Sequence, residues 1–282
     1  MPDATIGWRA HPDVWVLILV LAYGYWVALR VWGPRHASPG EPAATRAQIV
    51  SFYLGVLTIW IAADWPIHEL AEERLFSVHM VQHLLLSLVA PPLLLFGTPG
   101  WLMRSLLRPR WLLATVKRLA RPFPALLIFN AFIAFSHWPL IVNAAVSSEL
   151  AHFTLHTALV GTALLMWMPV LSPMFEIPRL RYSAQMLYLF AQSIVPTVPA
   201  SFLTFADGPI YKFYGAAAPL IGVDPVVDQR IAGLTMKLLG GAILWGFIAV
   251  TFFKWNKQDA LTGSDAPVFQ DVEREANRVE VG

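Results

Sequence analysis

The 282-residue chain has no cysteine, which excludes disulfides, thiolate metal sites, thiol redox chemistry and Cys-attached haem. It is also short of charge. Only 13% of its residues are Asp, Glu, Lys or Arg, about half the share in a soluble domain. Twenty Lys and Arg against 18 Asp and Glu leave a net charge of +2, so no nucleic-acid footprint is visible. What the chain does have is apolar residue, 57% of the total, with a mean hydropathy of +0.56. Several runs reach the roughly 20 residues that a helix needs to cross the hydrocarbon core. The expected fold is all-α, a polytopic transmembrane helical bundle in a lipid bilayer.

Seven spans are predicted, at about 14–32, 47–65, 76–97, 122–143, 150–171, 183–206 and 231–254. A polar segment, residues 1–13 with Asp3, Arg9 and Asp13, precedes the membrane domain of about 14–254, and a polar tail, about 255–282, follows it. The first segment lacks the basic n-region of a cleavable signal, so the first span is expected to be retained. Pro91-Pro92 in span three, and Pro196 and Pro199 in span six, remove backbone donors and predict a kink or unwound turn in each.

Lys and Arg set the orientation, because cytoplasmic loops carry the excess. The connections after spans one, three and five and the tail hold 15 of the 20 basic residues, Arg274 and Arg278 in the tail among them. The N-terminus is therefore expected outside and the C-terminus inside. The opposite loops carry Asp64, Glu69, Glu72, Glu73, Glu149, Asp207, Asp224 and Asp228. The basic stretch 104–121, with Trp101 and Trp111, reads as an amphipathic segment lying on the membrane, and most tryptophans read as interface anchors.

Ionisable residues inside spans are costly and point to function. His11 and His36 lie in polar flanks and are expected to be solvated. The topology brings the other six, His68, His79, His83, His137, His152 and His156, to the outer leaflet. His79/His83 and His152/His156 are each four residues apart, about 40° around a helix and ~6 Å along it. Both imidazoles of a pair then leave one face and can meet one ion or two adjacent ions. Two such pairs at one depth predict a metal site of His79, His83, His152 and His156. Asp64, His68, His137, Asp228 and Met236 are candidates for added ligands or for groups that orient them.

Imidazole with optional thioether and no thiolate favours copper over structural zinc. H-E-x-x-H is absent, so a hydrolytic base would have to come from Asp64 or Asp228. Haem b is the rival cofactor, since membrane cytochromes clamp iron between histidines on two helices. Ligands four residues apart allow one haem at most and leave two histidines over. Asp64-Trp65-Pro66-Ile67-His68 reads either as a carboxylate that orients a ligand histidine or as a turn with an aromatic-belt Trp; Asp228-Gln229 is placed to cap span seven, and Lys237 to snorkel or meet a carboxylate.

The stretches Asp64-Trp-Pro-Ile-His68 and Phe76-Ser-Val-His-Met-Val-Gln-His83, running on to Ala90-Pro-Pro-Leu-Leu-Leu-Phe-Gly-Thr-Pro99, carry a family pattern. So do Ser136-His-Trp138, His152-x-x-x-His156, Trp167-x-Pro169 and Asp228-Gln-Arg-Ile-Ala-Gly-Leu-Thr-Met236. Over about residues 50–250 the chain resembles the CtaG-type cytochrome c oxidase assembly factors, polytopic proteins of the bacterial cytoplasmic membrane. Lys237 departs from the aromatic residue expected after the methionine. The resemblance implies a non-enzymatic role in building the oxidase, with oxidase subunits and a periplasmic or external copper donor as partners. A b-type haem electron carrier and a metal permease are the alternatives.

The orientation is open to direct test. A reporter active only in the cytoplasm should give signal when fused near Asn256 and none when inserted near Ala217; the reverse pattern would invert the topology and move the histidines to the other compartment.

Overall fold

The computed structural model describes residues 9–36, 42–146 and 148–263, and among these there are helices and no strand. Asp3, Arg274 and Arg278 lie outside the described residues, as does the side chain of Glu149. Six helices are long and apolar enough to span a membrane: Pro12–His36, Arg46–Ala63, Phe76–Gly97, Leu150–Leu171, Tyr182–Phe205 and Pro225–Ala260. A seventh is available if Arg110–Leu119 and Pro122–Ser136, bent by 80°, count as one. The chain is thus a polytopic helical bundle with six or seven spans.

The third span is the centre. Inside the bundle lies 61% of its apolar window, against 17–39% for the other five, and it touches the second, fifth and seventh spans. Its contact with the second is close because glycine stands on each side. A Cβ on Gly97 would lie 2.5 Å from the Phe52 backbone nitrogen, and one on Gly55 2.9 Å from the Leu94 side chain. The first span is peripheral. It packs on the second through Tyr25, stacked on Phe52 with ring centroids 3.8 Å apart, and its hydroxyl donates to the Gly97 carbonyl at 2.8 Å.

Proline breaks the spans where expected, and each break has a partner. In the third span a π-helical turn, Leu85–Val89, precedes Pro91. The Ser87 carbonyl, which a prolyl nitrogen four residues on cannot serve, accepts from the Trp167 indole at 3.0 Å. Trp167 is therefore a fully buried strut, not an interface anchor. The sixth span is two helices, Tyr182–Ile194 and Thr197–Phe205, interrupted at Pro196. Lys237 of the seventh span answers that interruption, donating to the Ser193 carbonyl at 3.4 Å and Thr197 Oγ1 at 2.5 Å. It meets a broken backbone, where a carboxylate or the membrane surface had been expected.

The fourth span departs from the single helix expected over 122–143. Pro122–Ser136 stops at a turn through His137 and Trp138, and a second helix, Pro139–Val146, follows. Pro139 has no donor for the Phe135 carbonyl and pushes Trp138 out of helical geometry. At the other end, Arg110–Leu119 has no buried residue and lies across the membrane helix, as the basic amphipathic stretch predicts.

The glycine contact gives a clean comparison. Gly97→Ala should lower the thermal unfolding midpoint in detergent, since overpacking against backbone costs about 1–3 kcal/mol. Gly24→Ala, with nothing within 4 Å, should not. Equal midpoints for the two variants would contradict the close approach.

Candidate metal centre

The site is built on the first two turns of the third span. Leu75, at its N-cap, offers no side-chain acceptor, so the orphan N–H groups of the first turn need one from elsewhere. Asp228 supplies it. Its carboxylate accepts from the Phe76 nitrogen at 2.7 Å, the Ser77 nitrogen at 3.2 Å and the Ser77 hydroxyl at 2.5 Å. The expected cap of span seven is instead Asp224, bonded to the Val226 and Val227 nitrogens. Gln229 ties down the neighbouring loop, accepting from Ile210 and donating to the Leu203 and Gly208 carbonyls.

With that turn fixed, His79 and His83 project together, their ring centroids 4.3 Å apart. The fifth span starts at Ser148, whose hydroxyl caps the Ala151 nitrogen, and presents His152 and His156 with centroids 4.1 Å apart. The pairs face each other: His83 to His156 is 5.3 Å and His79 to His156 is 5.9 Å. All four predicted residues meet in one cluster at the end of the bundle away from the basic loops.

The donor atoms fall into two triads, each with all ligand atoms within 4.8 Å of one another: His79, His83 and His156, and Glu72, His152 and His156. His156 belongs to both. Glu72 was not among the sequence candidates, although it stands four residues after His68 and one helical turn before Phe76. It lies on the short helix Ile67–Glu73, which packs on the third span. Glu72 Oε1 approaches His152 Nε2 at 2.5 Å and His68 Nδ1 at 2.9 Å. Both contacts are close enough for an ion pair when the imidazole is protonated.

Neither Asp64 nor Asp228 reaches the cluster. Asp64 accepts from the indoles of Trp15 and Trp60, at 2.9 and 2.6 Å, and from the Trp65 nitrogen. Burial raises its carboxyl pKa, but these bonds outweigh burial and leave it below its ordinary value. His68 is oriented by Glu72 instead. Burial lowers the His68 pKa, and its contact with Glu72 more than reverses the effect. His11 is not solvated: its Nε2 lies 3.0 Å from Glu69 and its ring 4.5 Å from His68, so the start of the first span covers the cluster. His36 is exposed, stacked on Trp101.

His137 sits one layer deeper. Its Nδ1 is 2.7 Å from the Ile133 carbonyl, its Nε2 is 3.5 Å from Met80 Sδ, and its ring is 5.7 Å from His83. Met80, His83, His137, Met236 and Lys237 line a cavity of about 50 Å³ beneath the triads. Met236 is thus placed beside the cluster and outside both triads.

His79 Nδ1, His83 Nδ1 and His156 Nε2 are buried without a hydrogen-bond partner. Each such group costs roughly 1–3 kcal/mol. Imidazole lone pairs and one carboxylate converging in this way form a donor set that suits a divalent or soft monovalent metal ion.

The family model for the cytochrome c oxidase caa3 assembly factor (Caa3_CtaG) matches residues 23–258. Comparison with curated proteins and with solved structures gives no match.

Glu72 gives the cluster an acid limit. Burial raises its pKa, but the imidazoles of His152 and His68 bring it down to about 2. A depressed carboxyl stabilises the fold above its ordinary pKa, near 4.5, and that contribution is lost as pH falls from there toward 2. The unfolding midpoint of metal-free protein should drop across this window. Glu72→Gln should start lower at neutral pH and show a flatter acid limb; an unchanged acid limb would remove the carboxylate from the bridge.

Proposed function

The chain belongs to the cytochrome c oxidase caa3 assembly factor family, and from that premise we propose that it binds copper at the outer face of the bacterial cytoplasmic membrane and helps load the metal into the oxidase. The observation that carries the reading is the convergence of four buried histidines with Glu72 as two triads, with His79 Nδ1, His83 Nδ1 and His156 Nε2 left without a hydrogen-bond partner. Copper is the choice because imidazole and thioether suit it and no thiolate is available for a closed zinc cage. The metal comes from a periplasmic or external donor and leaves to an oxidase subunit.

A carrier has to release what it holds. One His156 lone pair serves one ion at a time, so the two triads act as alternative seats. An ion leaving His79 and His83 keeps His156 while it gains His152 and Glu72. Binding requires neutral imidazoles, so occupancy falls in acid. In this reading the protein performs no reaction of its own.

Haem is disfavoured by space. A macrocycle needs room for its whole plane between the axial rings, whereas the cavity below this cluster is about 50 Å³. Permeation is disfavoured by charge, because Lys237 stands on the lining of that cavity, where a cation moving inward from His83 would pass.

The test is metal content beside oxidase activity. Wild-type protein should carry copper, His79→Ala/His83→Ala should lose most of it, and the variant with all four histidines changed to alanine should lose all of it. A deletion strain should make oxidase polypeptides but little active enzyme at limiting copper, with partial rescue by excess copper. His79→Ala should behave like the deletion while inserting normally. Copper retained by the fourfold variant, zinc in its place, or a Soret band with a haemochrome signal would overturn the copper assignment; full activity in the deletion strain would overturn the assembly role.

A further inference from the structure

At the opposite end of the bundle a cavity of about 1000 Å³ opens between the third and seventh spans, with the connection after the fifth span as its floor. None of the histidines lines it, although Leu88 borders both this cavity and the small one beneath the triads, and it has no part in the function proposed above. Its upper wall is apolar, formed by Leu88, Leu93, Phe96, Ile243 and Phe247. Among the described residues its lower rim carries Arg179, Arg181 and Lys254 against one acid, Asp259, with Tyr182, Ser183 and Trp255 beside them. The cavity exists because the seventh span packs on the third near its start, through Gly240 against Leu84, and on the sixth beyond that, leaving its last turns apart from the third.

Two features identify an occupant. The first is depth. On the third span the lining runs from Leu88 to Phe96 and goes no higher, about 12 Å of helix at 1.5 Å per residue. That is close to one leaflet of a hydrocarbon core roughly 30 Å thick, whereas a partner helix would need a groove running the full thickness. The second is charge. Three cations ring the mouth at the level where headgroups lie, and basic pockets between spans on the cytoplasmic side attract anionic headgroups. Arg179 is held in place, its Nε donating to the Ser172 carbonyl at 2.7 Å.

We propose that this cavity is a binding site for one anionic phospholipid of the inner leaflet, its phosphate between Arg179, Arg181 and Lys254 and an acyl chain against Leu88, Ile243 and Phe247. The lipid fills the gap between the third and seventh spans and so supports, from below, the two helices joined above by Asp228.

Full-length protein in detergent, titrated with phosphatidylglycerol or phosphatidylcholine and followed by native mass spectrometry, tests the site. Phosphatidylglycerol should bind at one tight site per chain and phosphatidylcholine should not. Each cation near an anionic headgroup contributes roughly fivefold, so Arg181→Gln/Lys254→Gln should weaken binding on the order of 25-fold. Ile243→Trp, which fills the apolar part and keeps the charges, should weaken it as well. Arg108→Gln/Arg110→Gln, on the surface segment, should leave it unchanged. Equal binding of the two lipids, equal loss in the surface pair, full binding by Ile243→Trp, or a polypeptide occupying the site would each overturn the proposal. Copper content should be unchanged in all these variants, none of which alters a residue of the histidine cluster, so the two readings fail separately.

Discussion

The third span begins with N–H groups that its own sequence does not cap, and a carboxylate from 152 residues away, Asp228, takes two of them together with the Ser77 hydroxyl. A buried carboxylate at a helix N-terminus is favourable only when it is hydrogen-bonded and meets the positive end of the helix dipole, and Asp228 has both. This one junction fixes the height and rotation of the third span against the seventh. The directions of His79 and His83 follow from it, and so does the level at which the fifth span must present its own pair.

Membrane depth adds a second constraint, since every backbone group there needs a partner inside the protein. Pro91 of the third span frees the Ser87 carbonyl and the break in the sixth span leaves that of Ser193 open, and the bundle answers with side chains from neighbouring spans, the Trp167 indole in one case and the Lys237 ammonium in the other. Both side chains look out of place when read along their own helices. They are explained by a break in a different one.

That division also separates what could be read from the sequence. Hydropathy and the proline positions gave the bundle, and four-residue spacing put each histidine pair on one face, because helical periodicity is local. The likeness in the Asp64–His83 block pointed to the same family as the match over residues 23–258. Glu72 was hidden because it sits on a seven-residue helix whose direction is set by packing. Of the two readings open for Asp64, the turn is the one found, because two indoles, from Trp15 on another span and Trp60 a turn earlier, take the carboxylate that could have oriented His68. His11 looked solvated for a similar reason: its partner Glu69 is 58 residues away. The end of the fourth helix was readable in principle, from Trp138-Pro139, but apolar length masked it.

The first span is the least buried, with 17% of its window inside the bundle, yet through His11 it forms part of the wall over Glu69 and His68. If the cluster holds the proposed metal, strength of binding and speed of exchange belong to different parts of the chain. The well-packed third and fifth spans set the depth of the energy well. The loosely packed first span sets the height of the barrier in front of it, so loosening that helix would change how quickly the cluster equilibrates with its surroundings while leaving the equilibrium itself nearly where it was.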